Sequence, residues 1–293
     1  MGIYYSVEDL VGAAARENKK ISEIVLEDQA RELEKPEPEL YRTMLESFRV
    51  MQQSVEDGID PDMRSVSGLS GGGAYKMKQA VDKGRTLCGK VFGTALVRAL
   101  AVSESNACMG KIVAAPTAGS CGIIPAALLT VMEDRELPER DVVMALFTAS
   151  AFGMVIANNA SISGAQGGCQ AECGAASAMA AAALTELAGG TPQMAGHACA
   201  IAMKNILGLV CDPVAGLVEI PCIKRNAMGV ANAFVGAELA LAGIQSAIPA
   251  DEVIVAMKRI GDAMPRSLKE TSEGGLAATP TGKRLKKEIF GDS

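Results

Sequence analysis

The chain has 293 residues, of which 49% are apolar and only 3% aromatic, with no tryptophan. This length suits one large or two small domains, and a core of Ala, Leu, Val, Ile and Met favours packed helices over a sandwich or barrel. The net charge is −6 and the basic residues are scattered, which argues against nucleic acid as a partner.

Targeting signals are not evident at the N-terminus, where acidic residues follow Ser6 at once. The longest apolar run falls short of the roughly 20 residues that a membrane span needs. We therefore expect a cytoplasmic protein that has no membrane partner. In that compartment the eight cysteines are expected to be buried hydrophobes or metal ligands rather than disulfides.

The first fifth of the chain has helical periodicity. Residues 1–60 are predicted to form an N-terminal helical arm, with Ser6 as a helix cap and an amphipathic helix that ends at Asp57-Gly58. Residues 61–293 are predicted to form a helical domain that carries the candidate functional residues, continuous with the arm as one unit. We expect about ten helices and no strand ladder, hence a mainly α multi-helix bundle, and the cysteines described below predict that it surrounds a metal-cluster site.

A glycine-rich segment, Ser67-Gly-Leu-Ser70-Gly71-Gly72-Gly, precedes a predicted helix. Such a loop presents backbone N–H groups at the positive end of the helix dipole, where an anion can bind. Ser67, Ser70, Gly71 and Gly72 are therefore candidate substrate-binding residues. A plain flexible turn is the alternative.

A second helix start lies between Lys111 and Gly122. Thr117 and Ser120 have the residue types of helix caps, and the alternative is an anion site with two hydroxyls. Thr117 and Asn159 are candidates for binding substrate, whereas Lys111 and Ser120 are candidates for the catalytic base.

Three cysteines stand beside glycine, aspartate or proline at predicted element ends, where a thiolate can reach a metal: Cys169, Cys211 and Cys222. The absence of a C-x-x-C pair disfavours zinc, and each cysteine alone is also typical of a small buried hydrophobe. Three thiolates with one open position suit an iron–sulfur cluster whose fourth iron is free to bind substrate. The only histidine, His197, is more typical of a core or surface helix residue than of a catalytic base.

Four motifs carry a family resemblance: Pro116-Thr-Ala-Gly-Ser120, Gly168-Cys-Gln-Ala-Glu172, Gly208-Leu-Val-Cys-Asp-Pro-Val-Ala-Gly-Leu-Val-Glu219 and Pro221-Cys-Ile-Lys-Arg-Asn226. They resemble the α chain of bacterial iron–sulfur-dependent L-serine dehydratase, and the resemblance covers essentially the whole chain. It implies a helical catalytic subunit with an oxygen-sensitive 4Fe–4S cluster, and it places the cluster ligands at Cys169, Cys211 and Cys222. It also implies a separate β chain.

The activity implied by this resemblance is that of an L-serine ammonia-lyase, which converts L-serine to pyruvate and ammonia in amino-acid catabolism and gluconeogenesis. The cluster would act as a Lewis acid toward the serine hydroxyl. Lys111, Ser120 and Asp212 remain open as the base, and Arg225 is a further candidate for binding the substrate carboxylate. Three further points remain open. They are the preference for serine or threonine, the subunit stoichiometry, and whether Cys173 is a fourth ligand.

Two alternatives belong to other classes. A pyridoxal-phosphate-dependent amino-acid lyase would place the cofactor phosphate on the glycine-rich loop, but the sequence has no alternating βα pattern. A non-catalytic helical partner subunit with a structural metal would need no substrate site.

Overall fold

The computed structural model describes residues 4–291, which form thirteen α-helices, four short 3₁₀ helices and no strand. The helices are α1 (Val7–Glu17), α2 (Ile21–Glu32), α3 (Glu37–Asp57), α4 (Gly73–Asp82), α5 (Gly89–Ala107), α6 (Ile123–Asp134), α7 (Glu139–Asn159), α8 (Gly164–Gly167), α9 (Cys169–Leu187), α10 (Pro192–Lys204), α11 (Cys222–Leu241), α12 (Ala250–Ala263) and α13 (Pro280–Phe290). The mainly α prediction is confirmed.

Helix α9 lies at the centre of the molecule. Each of its residues from Cys169 to Glu186 is buried, which is typical of a helix surrounded by other elements. It packs against α6, α7, α10 and α11. Its alanines let the neighbours approach closely, and a Cβ added to Gly236 of α11 would lie 3.3 Å from the Cβ of Ala181. The small side chains thus produce the closely packed helical core that the composition predicts.

Helix α7 is long and apolar enough to cross a membrane by length and composition alone. About two thirds of its apolar window, 67%, is buried inside the molecule, and it packs against α9 and α2. This is the position of a core helix.

The N-terminal helices share the central core. Leu10 of α1, Ile21 of α2 and Phe48 of α3 are buried and belong to the same apolar cluster as α9. The cap predicted at the start of α1 is confirmed, since the Ser6 hydroxyl accepts a hydrogen bond from the Asp9 N–H at 2.9 Å. A domain boundary near residue 60 stays a prediction.

Two helix boundaries differ from the apolar pattern of the sequence. Helix α10 ends at Lys204, although apolar residues continue to 209, because the chain turns there and Gly208 adopts a positive φ of 86°. Helix α11 begins at Cys222, directly after Pro221 and about one turn before Asn226, where its apolar pattern starts. The second difference matters for the site, because it places Cys222 in the first turn of a helix.

Candidate functional site

The three cysteines predicted as ligands come together where two helices begin. Cys169 is the first residue of α9 and Cys222 is the first residue of α11, and these two helices pack against each other. Cys211 lies in the loop between α10 and α11, close enough for its thiol to interact electrostatically with the other two. All three are buried.

The three thiols differ in how readily they ionise. Cys173, one turn further along α9, forms a side-chain hydrogen bond that lowers the pKa of Cys169, and Arg225 acts in the same direction. Burial raises the pKa of Cys222 to about 12 and also raises the pKa of Cys211. The positive ends of α9 and α11 favour negative charge at this point. A metal would offset the cost of ionising the two thiols that burial holds neutral.

Cys211 is fixed by the segment that follows α12. Its N–H donates to the Leu268 carbonyl at 2.9 Å, and its carbonyl accepts from the Glu270 N–H at 2.7 Å, in an isolated parallel bridge. On the other side, a Cβ added to Gly164 would lie 2.8 Å from the Cys211 sulfur. The backbone of Cys211 is therefore fixed by one segment, and its sulfur lies close to a second segment that is distant in sequence.

Metal binding itself stays a prediction. Within residues 4–291 no group of three His, Cys, Asp or Glu side chains has the geometry to hold a metal ion. All eight cysteines in this part of the chain are free thiols. Any metal at this point would have to be held by thiols that lie near one another without converging on a single ion.

Asp212 and Arg225 form a buried ion pair next to the cysteines. Arg225 donates to an Asp212 carboxylate oxygen at 2.8 Å and to the Val210 carbonyl at 2.8 Å. The second Asp212 oxygen accepts from the Leu276 N–H at 2.7 Å. Because both oxygens are engaged, the geometry favours Asp212 as a positioning residue rather than as the base. Arg225 likewise uses both terminal nitrogens within the chain.

Thr117 does not cap a helix through its side chain. Thr117 stands at the N-cap position of a short 3₁₀ helix, Ala118–Ser120, but its hydroxyl donates to Glu172 instead of accepting from that helix, and α6 begins only at Ile123. Ser120 is fully buried, and its hydroxyl oxygen lies 3.1 Å from that of Thr117. The two hydroxyls therefore form a chain that leads to the carboxylate of Glu172.

Glu172 is a site residue that the sequence reasoning missed. It lies one turn after Cys169 in α9, is only 8% exposed, and burial raises its pKa. The signal in the sequence was a charged residue at the start of an alanine-rich helix, next to a candidate ligand. The position of Thr117 could not be read from the sequence, because the two residues are 55 positions apart.

Asn226 joins the turn before α6 to the start of α11. Its amide donates to the Gly119 carbonyl at 2.7 Å and to the Cys222 carbonyl at 3.0 Å, and its oxygen accepts from the Gly122 N–H at 2.9 Å. Asn226 is 1% exposed. This single side chain fixes the turn that carries Thr117 relative to Cys222.

The glycine-rich loop meets carboxylates, but they belong to this chain. The N–H groups of Gly73 and Ala74 donate to the two oxygens of Glu104 at 2.9 and 3.0 Å. Gly71 and Gly72 have positive φ values of 133° and 69°, so the loop depends on glycine. The start of α4 is thus an anion site in its chemistry, with Glu104 as its observed anion.

The two loop serines bind a second carboxylate. Ser67 donates to one oxygen of Glu219 at 2.7 Å, and Ser70 donates to the other. Glu219 is buried and lies three residues before Cys222. The loop is therefore tied to the segment that leads into α11.

Lys111 and Asn159 are not linked to the cysteines by any contact found in the described part of the chain. Lys111 is exposed. Asn159 is also exposed, and its amide donates to the carbonyls of Tyr5 and Val155 at 2.7 and 2.9 Å. His197 accepts a long hydrogen bond of 3.4 Å from the Ser246 N–H, which suits the structural role expected for it.

Comparison with known proteins identifies the family. The model of the serine dehydratase alpha chain matches residues 16–277. A probable L-serine dehydratase alpha chain of Bacillus subtilis is 49% identical over 289 residues, 99% of this chain and 96% of that one. The L-serine dehydratase alpha chain of Peptoniphilus asaccharolyticus is 41% identical over 97% of this chain and 98% of that one. An L-serine dehydratase of Streptomyces coelicolor is 40% identical over 92% of this chain but only 60% of that one. This chain belongs to the serine dehydratase alpha-chain family.

Proposed function

We propose that this chain is the catalytic α chain of an L-serine dehydratase, which deaminates L-serine to pyruvate and ammonia. Its family membership supports the activity, since relatives that match it over nearly their full length are named as an alpha chain or probable alpha chain of that enzyme. The observation that carries the proposal in the structure is the meeting of three buried thiols at the starts of α9 and α11.

We propose a 4Fe–4S cluster as the cofactor, held by Cys169, Cys211 and Cys222. Thiolates are soft ligands suited to iron–sulfur clusters, and the two helix starts together with Arg225 stabilise their negative charge. In a cubane cluster each thiolate binds a different iron, so the three sulfurs need not converge on one ion. When bound, the cluster would supply an iron with an open position as a Lewis acid toward the serine hydroxyl.

The residues around the cysteines prepare the substrate for elimination. Removal of the Cα proton and departure of hydroxide give aminoacrylate, which tautomerises to an imine and is hydrolysed. Of the three candidate bases, Ser120 suits proton transfer best, because its buried hydroxyl is linked through Thr117 to an acceptor. Asp212 has both oxygens engaged, and Lys111 is exposed. The burial of the thiols keeps bulk water away from the reacting atoms.

A separate β chain is the proposed partner, and the cytoplasm is the proposed compartment. The relatives from Bacillus subtilis and Peptoniphilus asaccharolyticus are named as alpha chains, which implies an enzyme of more than one subunit. Eight free cysteines suit a reducing compartment. The product pyruvate would link amino-acid catabolism to gluconeogenesis.

The test is anaerobic purification with the β chain, followed by measurement of iron, sulfide and serine turnover in one sample. We expect iron and sulfide in equal amounts, and turnover that depends on both. Cys211→Ala should lose iron and activity together, whereas Cys88→Ala, which changes an exposed cysteine, should keep both. Turnover without iron would favour pyridoxal phosphate and refute the cluster. Full iron without turnover would favour a non-catalytic subunit.

A further inference from the structure

We infer that Glu172 binds the ammonium group of the amino-acid substrate and so selects amino acids over other hydroxy acids. The inference rests on the proposed function, since it concerns the same site. It assigns a substrate-binding role to a carboxylate that the proposed function uses only as the end of the Ser120–Thr117 hydrogen-bond chain.

The position of Glu172 brings its charge to the place where substrate would lie. It is on the first turn of α9, three residues after Cys169, and its side chain faces the turn that holds Thr117. Its carboxylate is close enough to interact electrostatically with Cys169, Cys211 and Cys222. A molecule held at the three cysteines is therefore within reach of this carboxylate.

The carboxylate of Glu172 also lacks a paired cation in the part of the chain that the structure describes. One oxygen accepts a hydrogen bond from Thr117, and within residues 4–291 no lysine, arginine or histidine forms an ion pair with it. The nearby Arg225 forms its ion pair with Asp212, and its charge acts on Glu172 only without a direct contact, in the direction that lowers the pKa of Glu172. A buried carboxylate without a cation is costly, and a substrate ammonium would provide the missing charge together with hydrogen-bond donors.

The backbone holds the carboxylate in this place. A Cβ added to Gly119 would lie 2.5 Å from one oxygen of Glu172 and 2.9 Å from the other, so the carboxylate occupies the space that a side chain at 119 would take. The Gly119 carbonyl is itself fixed by Asn226 at 2.7 Å. An alanine at 119 would therefore displace the carboxylate without removing its charge.

The experiment compares two ligands that differ only at the ammonium group. L-serine and L-glycerate, which has a hydroxyl in place of the ammonium, are titrated anaerobically into the enzyme purified with its β chain, and iron is measured in each sample. In Glu172→Gln we expect the Kd for serine to rise about 10- to 100-fold, the value of one charge-assisted contact, while the Kd for glycerate stays nearly constant. An equal rise in the Kd for both ligands would overturn the inference. So would an unchanged serine affinity with a fall in turnover, which would indicate proton transfer instead.

Two further variants keep the result interpretable. Gly119→Ala should show the same selective loss for serine, even in a protein whose glutamate is intact. Glu186→Gln is the matched control, because Glu186 is a buried carboxylate on the same helix, about 21 Å away at 1.5 Å per residue, that accepts hydrogen bonds from Ser22 and Thr148. We expect this variant to leave the ratio of the Kd for serine to the Kd for glycerate unchanged. Failure of the unmodified enzyme to turn over serine would count against the proposed function, whereas an unaltered ratio in the Glu172 variant would count against this inference alone.

Discussion

Asn226→Leu tests whether one buried amide holds the candidate site together. Leucine has a similar volume but forms no hydrogen bond, so the packing is largely kept while the polar contacts are lost. Asn226 is 1% exposed and contacts Gly122, Gly119 and Cys222. The substitution leaves the Gly122 N–H and the Gly119 carbonyl without the partner they have in the structure.

The expected loss of stability follows from the unpaired Gly122 N–H and Gly119 carbonyl. A buried polar group left without a partner costs about 1–3 kcal/mol, so the free energy of unfolding should fall by about 2–6 kcal/mol. This is a large part of the 5–15 kcal/mol that is typical of domains. Asn205→Leu is the control, because the Asn205 amide makes an exposed hydrogen bond of 2.8 Å to Asn232. We expect a change of about 0.5 kcal/mol or less in the control.

The assay is urea denaturation of both variants, followed by far-ultraviolet circular dichroism, with iron content and serine affinity measured on the folded proteins. Because Asn226 also fixes Gly119 against Glu172, the folded Asn226→Leu protein should bind serine more weakly. A loss of stability no larger than that of the Asn205→Leu control would refute the reasoning. It would mean that water or a shift of the turn satisfies the two backbone groups.

Three other changes have definite expected results. Exposure to air should abolish serine turnover while circular dichroism stays unchanged, and serine should slow the loss; activity that persists in air would contradict the cluster. Gly72→Val should lower stability by about 1–2 kcal/mol because Gly72 has a φ of 69°, and should weaken serine binding with iron retained. Unchanged serine affinity would show that the loop serves only the chain's own carboxylates. Asp212→Asn should lower the free energy of unfolding by about 3 kcal/mol, because it breaks the ion pair with Arg225, and it should keep the turnover per iron. A loss of turnover without a loss of stability would indicate that Asp212 is catalytic.

The sequence was most informative where the evidence was local. Alanine-rich, aromatic-poor composition predicted the helical core, because small side chains permit the close approach seen at Gly236. Neighbouring glycine and proline correctly suggested that Cys169 and Cys222 stand at element ends, and both begin helices. The apolar pattern does not reveal the first turn of α11, because the charged residues Lys224 and Arg225 interrupt it.

Long-range pairings were not predictable from local pattern. The glycine-rich loop was expected to present free N–H groups, yet Glu104 accepts from two of them and Glu219 accepts from the loop serines. Both partners are distant in sequence, and many glutamates in this chain could equally have reached the loop. For the same reason Glu172 and Asn226 emerged only from the packing of the turn near Gly119.

The convergence of α9 and α11 explains why the candidate site must carry negative charge. Each helix start presents unpaired N–H groups and a partial positive charge, and two such ends brought together repel each other unless anions lie between them. The sequence supplies thiols at both first positions and the carboxylate of Glu172 one turn later. Arg225 then limits the negative charge, and its pairing with Asp212 ties the Cys211 loop to α11. On this reasoning the proposed cluster, if held by the three cysteines, would supply the anion that the two helix ends favour.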